Sequence, residues 1–186
     1  MSKILLLGAS GYIGSSFGAE LARRDCNFIS LSRSKVNYCN FEILRQYIRE
    51  LGGIDFLINA AGFAGKPNVE QCEVQREETL QGNLLLPEML SHLAAVDDFR
   101  WLQIGSGCIY DGDNGGAGFT EEDEPNFSFK YDNCSFYSGV KAVSEAYLKE
   151  DPRCYVARLR IPFDEHDRTR NYIRKLLSYP KTYDNI

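Results

Sequence analysis

A chain of 186 residues is long enough for one domain with a sizeable core, and its formal net charge of −5 argues against a general nucleic-acid binder, which needs a basic face. Six scattered cysteines with no C-x-x-C pair, and only two histidines, argue against a zinc site and fit reduced thiols. No apolar run nears the ~20 residues of a membrane span, and the first strand begins almost at residue 1, so a cytoplasmic protein without a signal peptide or membrane contact is expected.

Ile4 to Leu7 are four apolar residues in a row, a buried strand too short to be a helix. Gly8, Gly11 and Gly14 follow in G-x-x-G-x-x-G spacing, and Tyr12 to Arg24 is an amphipathic run. Strand, glycine turn and helix together make a dinucleotide-binding start. Gly8 permits the tight turn, Gly11 lets the backbone approach a pyrophosphate, and Gly14 lets helix and strand pack closely. The helix N-terminus offers N–H groups to the phosphates.

Asn27 to Ser32 reads as the second strand. In this kind of fold an acidic residue at its end would bind the ribose 2′-OH of NAD. Here the end is Ser32-Arg33-Ser34-Lys35, and Arg33 could instead grip a 2′-phosphate. NADP(H) is therefore expected ahead of NAD(H), the alternative for Arg33 being an ordinary solvated charge.

Phe41 to Leu51 has a helical apolar stripe, ended by Gly52-Gly53. Ile54 to Ile58 is a third strand, with Asn59-Ala60-Ala61-Gly62 after it, small enough for a ring or ribose to lie against the backbone. Val69 to Val96 reads as mostly helical, kinked or broken near Pro87, and Asn83 inside it needs a polar partner. Phe99 to Ile104 is a fourth strand, followed by Gly105-Ser106-Gly107-Cys108. A glycine-rich loop and an acidic, solvated run precede a helix over Phe136 to Glu150. Cys154 to Leu159 is a fifth strand, stopped by Pro162, and Arg168 to Lys175 reads as one more helix.

Strands alternating with helices give an α/β, doubly wound parallel sheet of Rossmann type. Ligands in such sheets sit at the carboxyl ends of the strands, where Gly8, Arg33, Asn59 and Ser106 all fall. Tyr137 and Lys141 are four apart on one helix and share a face. A Lys⁺ beside a phenol favours the phenolate, and the pair can pass a proton to or from a carbonyl or alcohol oxygen. Ser106 could hydrogen-bond the same oxygen. Taken alone, the pair could equally be a surface lysine covering a core tyrosine, and Cys108 a small buried hydrophobe.

Together these motifs resemble the extended short-chain dehydrogenase/reductases. Further runs are similar to one subgroup: Gly65-Lys-Pro-Asn-Val69 with Cys72-Glu73, Gly107-Cys108-Ile109, Gly118 to Phe127, Phe136-Tyr137-Ser138, Leu159-Arg-Ile-Pro162, and Arg170-Asn171-Tyr172-Ile173 with Lys175. They resemble the bifunctional nucleotide-rhamnose synthases, 3,5-epimerase/4-keto-reductases, with the dTDP-4-dehydrorhamnose reductases as more distant kin. The resemblance implies a UDP- or dTDP-linked 4-keto-6-deoxyhexose substrate, reduced at C4 through Tyr137, Lys141 and Ser106. It implies Cys108 and Lys175 as the acid–base pair that inverts C3 and C5. Cofactor contacts are expected from Gly8, Ser10, Gly11, Tyr12, Ile13, Gly14, Arg33, Asn59, Ala60, Ala61, Gly62, Asn83, Tyr137 and Lys141. Substrate contacts are expected from Asn126 and Asn171, with no metal. The segment Ser128 to Cys134 reads as an insertion relative to the subgroup. Residues 1–162 then form the NAD(P)-binding domain and 163–186 the start of a substrate lobe that is largely missing. A homodimer is left open. The alternatives are another nucleotide-sugar reductase or epimerase, or a non-catalytic cofactor-binding subunit like the regulatory β subunit of methionine adenosyltransferase. Keeping Cys108 and Lys175 together with Ser106, Tyr137 and Lys141 favours an enzyme.

Overall fold

Five strands lie side by side in a single parallel sheet of order β2-β1-β3-β4-β5 in the computed structural model, which describes residues 2–165 and 171–178. The strands are β1 (Ile4–Leu7), β2 (Phe28–Leu31), β3 (Phe56–Asn59), β4 (Arg100–Ser106) and β5 (Cys154–Leu159). Between them run α1 (Tyr12–Arg23), α2 (Phe41–Glu50), α3 (Arg76–Leu80), α4 (Leu86–Asp97) and α5 (Phe136–Leu148), and α6 (Tyr172–Ser178) follows. This is the expected α/β doubly wound sheet. β1 pairs with β2 on one side and β3 on the other, so the chain reverses direction across the sheet at β1 and opens a crevice there.

The central strands are buried on both faces, as parallel strands covered by helices must be. Leu5, Leu7, Leu31, Leu57 and Trp101 form the core with Leu90, Leu93 and Phe99. Trp101, fully buried, satisfies its indole N–H on Asp151, 3.1 Å away. α2 starts on Asn40, whose side chain accepts from Ile43 N at 3.0 Å, and turns Leu44 and Ile48 inward. Arg45 of α2 and Asp97 of α4 tie the two helices together at 2.9 Å.

The expected helix over Val69 to Val96 is four pieces. A 3-10 turn (Val69–Glu73) leads into α3, a π turn (Gln81–Leu85) follows, and then α4. The helical run is broken at Gln75 (φ −88, ψ 60), and the π turn directly precedes Pro87, a residue that cannot supply a helical N–H. The last helix is Tyr172–Ser178 instead of Arg168 to Lys175, residues 168–170 lying outside the described residues. All six cysteines are free thiols. Among the described residues no helix is long and apolar enough to cross a membrane, and no cluster of His, Cys, Asp and Glu could hold a metal ion.

Candidate active site

The turn from β1 to α1 is shaped by what its glycines lack. Gly8 has φ +71, and a Cβ there would stand 2.6 Å from Ala61 N and 2.8 Å from the Ala60 carbonyl. A Cβ on Gly14 would meet Gly8 O at 2.1 Å, so helix and turn touch backbone to backbone. Gly11 differs: it is exposed, its N–H bonds Gly8 O at 2.9 Å, and the nearest atom to an added Cβ is 3.2 Å away. α1 begins on Gly11 without a side-chain cap or an acidic residue in its first turn. The partial positive charge of the helix start therefore faces outward beside exposed Ser10, with Tyr12 and Ile13 in the first turn. This cradle fits the pyrophosphate of a dinucleotide. Arg33 is exposed just past the end of β2, where no carboxylate stands between Ser32 and Lys35.

Across the crevice, a buried polar network holds the end of β3. Asn59 is fully buried, donates to Gln103 Oε1 at 2.7 Å, and accepts from Ala61 N at 3.1 Å. The latter bond fixes the Ala60-Ala61 turn against Gly8. Gln103 passes the network on by donating to Ile104 O at 2.9 Å. Asn83, the expected polar residue in need of a partner, finds it in Phe63: its amide donates to Phe63 O at 2.6 Å and its oxygen accepts from Phe63 N at 3.3 Å. The π turn puts Asn83 there, and Gly82 beside it leaves room, since a Cβ would lie 3.0 Å from Phe63 N.

α5 brings Tyr137 and Lys141 over this floor. Lys141 is buried, with its Nζ 3.4 Å from Ile104 O and 5.9 Å from the centre of the Tyr137 ring. A Cβ on Gly62 would lie 4.0 Å from Lys141 Nζ and 3.1 Å from Asn83 Oδ1, so lysine, Asn83 and the Asn59–Gly62 turn converge. Burial lowers the Lys141 pKa to about 8, while the charges of Cys108 and Glu145 pull it up. The thiol of Cys108 thus lies within electrostatic reach of the ammonium. Ser106 ends β4, three rungs beyond the one that pairs Asn59 with Gln103, and its Oγ accepts from Cys108 N at 3.3 Å. Arg160 closes the 3-10 turn that carries Cys108 (Gly107–Ile109) from below, one guanidinium nitrogen donating to Gly107 O at 2.5 Å and Tyr110 O at 3.0 Å.

The structure thus gathers Ser106, Cys108, Tyr137, Lys141, Asn83 and Gly62 around the carboxyl ends of β3 and β4. The other expected residues have different neighbours. Asn126 exchanges two hydrogen bonds with the backbone of Asp111, at 2.8 and 2.9 Å. Asn171 is buried, donates to Asp164 and accepts from Ile173 N at the start of α6. The side chain of Lys175 lies outside the described residues. Gln103 and Arg160 were not foreseen as site residues. A lone amide within Trp101-Leu-Gln-Ile104 was a readable signal for Gln103. A groove of about 750 Å³ lies between the 119–125 loop, α5 and β5, and meets the site at Gly107, Tyr110 and Arg160.

The family model described as the RmlD substrate binding domain matches residues 2–186. The chain is a member of that family. Its relatives include a trifunctional UDP-glucose 4,6-dehydratase/UDP-4-keto-6-deoxy-D-glucose 3,5-epimerase/UDP-4-keto-L-rhamnose-reductase of Arabidopsis thaliana, 31% identical over 96% of this chain and 26% of the relative. A bifunctional dTDP-4-dehydrorhamnose 3,5-epimerase/dTDP-4-dehydrorhamnose reductase of the same plant is 35% identical over 69% of this chain and 43% of its own length. Among solved structures, the UDP-rhamnose synthase of Acanthamoeba polyphaga mimivirus superposes with a TM-score of 0.83 at 25% identity, covering 96% of this chain and 62% of that one. A Bacillus anthracis dTDP-4-dehydrorhamnose reductase, solved in complex with NADP, shares the fold at a TM-score of 0.71 and 16% identity, over 95% of this chain and 59% of that one. This RmlD-family chain therefore spans about a quarter of the trifunctional plant relatives and under two thirds of the viral synthase.

Proposed function

We propose that this RmlD-family chain carries the reductase and epimerase chemistry of nucleotide-rhamnose formation, with NADPH as cofactor and a UDP- or dTDP-linked 4-keto-6-deoxyhexose as substrate. The observation that carries the reading is the convergence of Tyr137, Lys141 and Asn83 beside the glycine cradle, with Ser106 at the end of the neighbouring strand. The pyrophosphate would rest on Gly8, Gly11 and the first turn of α1, and Arg33 would meet a 2′-phosphate. Bound there, NADPH supplies the hydride that reduces C4 of the sugar. Tyr137 gives its phenolic proton to the C4 oxygen, and Ser106 Oγ hydrogen-bonds the same oxygen. The Lys141 ammonium stabilises the phenolate left behind.

A 4-keto group also acidifies the protons at C3 and C5. Cys108 takes such a proton as thiolate, and Lys175 returns one to the opposite face, inverting the centre. The names of the relatives support a rhamnose product, and the electrostatic reach between Cys108 and Lys141 supports a thiol next to the reacting sugar. The reading includes a cytoplasmic protein without nucleic-acid or membrane partners and is compatible with a homodimer.

The test is to incubate the protein with NADPH and either UDP- or dTDP-4-keto-6-deoxyglucose and to identify the sugar formed. Nucleotide-linked rhamnose with stoichiometric NADPH oxidation is the expected result. Tight NADPH binding without consumption of either sugar would instead favour a cofactor-binding subunit.

A further inference from the structure

The Cys72-Glu73 pair stands out in the sequence but has no part in the chemistry above. The fold brings it to the start of α5. Glu73 Oε1 accepts the backbone N–H of Phe136 at 2.7 Å, across 63 positions of chain. The guanidinium of Arg76 lies over the Phe136 ring, 4.9 Å from its centre. Phe136 is the first residue of α5, and Tyr137 is the second. Such first-turn N–H groups have no partner within a helix, and a carboxylate there also meets the positive end of the helix dipole.

The grip comes from an anchored segment. Cys72 is fully buried. Glu73 closes the 3-10 turn that begins at Val69, so its backbone is held by the turn and by Cys72. Beyond its first turn α5 is fixed by burial of Val140, Lys141, Ala142, Ser144 and Leu148. Ser135 caps only Ser138, at 3.2 Å. The first turn, which carries Tyr137, is thus held by side chains from the 72–76 segment together with the Ser135 cap and the Phe129 ring, 5.8 Å from that of Phe136.

We propose that Glu73 is a positioning residue for the reduction, its carboxylate fixing the first turn of α5 and through it the aim of the Tyr137 phenol. The proposal rests on the assignment of Tyr137 as proton donor to the C4 oxygen. Glu73 touches neither sugar nor cofactor in this role. What matters is the acceptor oxygen, so glutamine, which keeps that oxygen, can replace it, and alanine cannot.

The experiment is single-turnover NADPH oxidation with the 4-keto sugar, in the unmodified chain, Glu73→Ala and Glu73→Gln. Glu73→Ala is expected to slow turnover by ~10-fold or more, because a shift of about 1 Å in a reacting group can cost up to ~100-fold. NADPH affinity should change less than about twofold, since the cradle lies on α1. Glu73→Gln should recover most of the rate. Phe136→Pro removes the N–H at a position where proline is tolerated, and in that background Glu73→Ala should have no further effect. An undiminished rate in Glu73→Ala, a rate in Glu73→Gln as low as in Glu73→Ala, or an equal loss with and without the Phe136 N–H would each overturn the role. If the unmodified chain and Tyr137→Phe oxidise NADPH equally fast, the assignment of Tyr137 fails instead. Should Glu73→Ala not fold, the Glu73→Gln rate and the Phe136→Pro background still decide.

Discussion

Lys141 Nζ lies 3.4 Å from the carbonyl oxygen of Ile104, the oxygen that also takes the side-chain amide of Gln103. A neutral network thus receives a buried cation, and burial lowers its pKa from 10.5 to about 8. The folded lysine binds its proton less tightly than the unfolded one. Below pH ~8 both states are protonated and the burial cost is constant; between about 8 and 10.5 the unfolded state holds more proton, so stability rises with pH. Lys141→Met, which keeps the length and removes the charge, should therefore stabilise the fold at pH 7 by up to ~3 kcal/mol. The gain should fade as pH climbs through that window, and reduction should be lost throughout. Thermal melts of both proteins from pH 7 to 10.5 check this; a Lys141→Met variant less stable at pH 7 would contradict it.

The buried Gly14 and the exposed Gly11 of the cradle should separate on mutation. Gly14→Ala places a Cβ 2.1 Å from Gly8 O and must push α1 off the turn, costing roughly 1–3 kcal/mol as overpacking does. Gly11→Ala meets nothing closer than 3.2 Å and should leave the melting temperature within a few degrees. Its methyl group would instead stand where a pyrophosphate approaches, so NADPH binding should weaken at least ~10-fold. Melting curves and fluorescence titration with NADPH read the two effects independently.

Arg33→Ala should weaken NADPH and leave NADH nearly unchanged, narrowing a preference that favours NADPH in the unmodified chain. Loss of one charge-assisted contact of this kind is worth about 1.5–3 kcal/mol, or roughly 10- to 100-fold in affinity. Tighter NADH than NADPH binding before mutation would refute the assignment.

Reduction and inversion should come apart. Tyr137→Phe keeps the ring on α5 and removes the donated proton, so NADPH should bind normally while turnover falls at least ~100-fold. Cys108→Ser should still allow reduction but stop deuterium from D₂O entering the ring at C3 or C5, as followed by NMR. Undiminished exchange would leave Cys108 as packing at the end of β4.

The sheet was legible because its strands are apolar runs bounded by turn residues. β1 and β5 begin and end where the sequence pattern puts them. β4 runs to Ser106, two residues beyond the expected Ile104, because the ladder continues through Gly105 opposite Arg158. Gly105 is required there, since a Cβ would lie 2.9 Å from Val156. Tyr137, Lys141 and Ser106 could be read from local spacing. The partners that hold them could not. Asn83 meets Phe63 across 20 positions and Glu73 meets Phe136 across 63, and no local pattern records such a contact. Asn126 belongs with them: its amide pairs with the backbone of Asp111, 15 positions away, an arrangement that residue type alone does not distinguish from a ligand contact.

The all-parallel order of the sheet sets how the chain must fold in time. Ile4 pairs with Phe28 and with Phe56, Phe56 with Arg100, and Trp101 with Cys154, so no rung joins residues close in the chain. Each closes a long loop before any of its contacts is gained, which makes the sheet intrinsically slow to assemble. β1, an interior strand, finds its second neighbour only after residue 56 has been synthesised, and the Leu5-Leu6-Leu7 run stays uncovered until then. A nascent chain in that state exposes a short β-prone apolar segment, the kind that chaperones hold and that aggregates at high concentration. Refolding yield should accordingly fall with protein concentration more steeply than the stability of the finished fold would suggest.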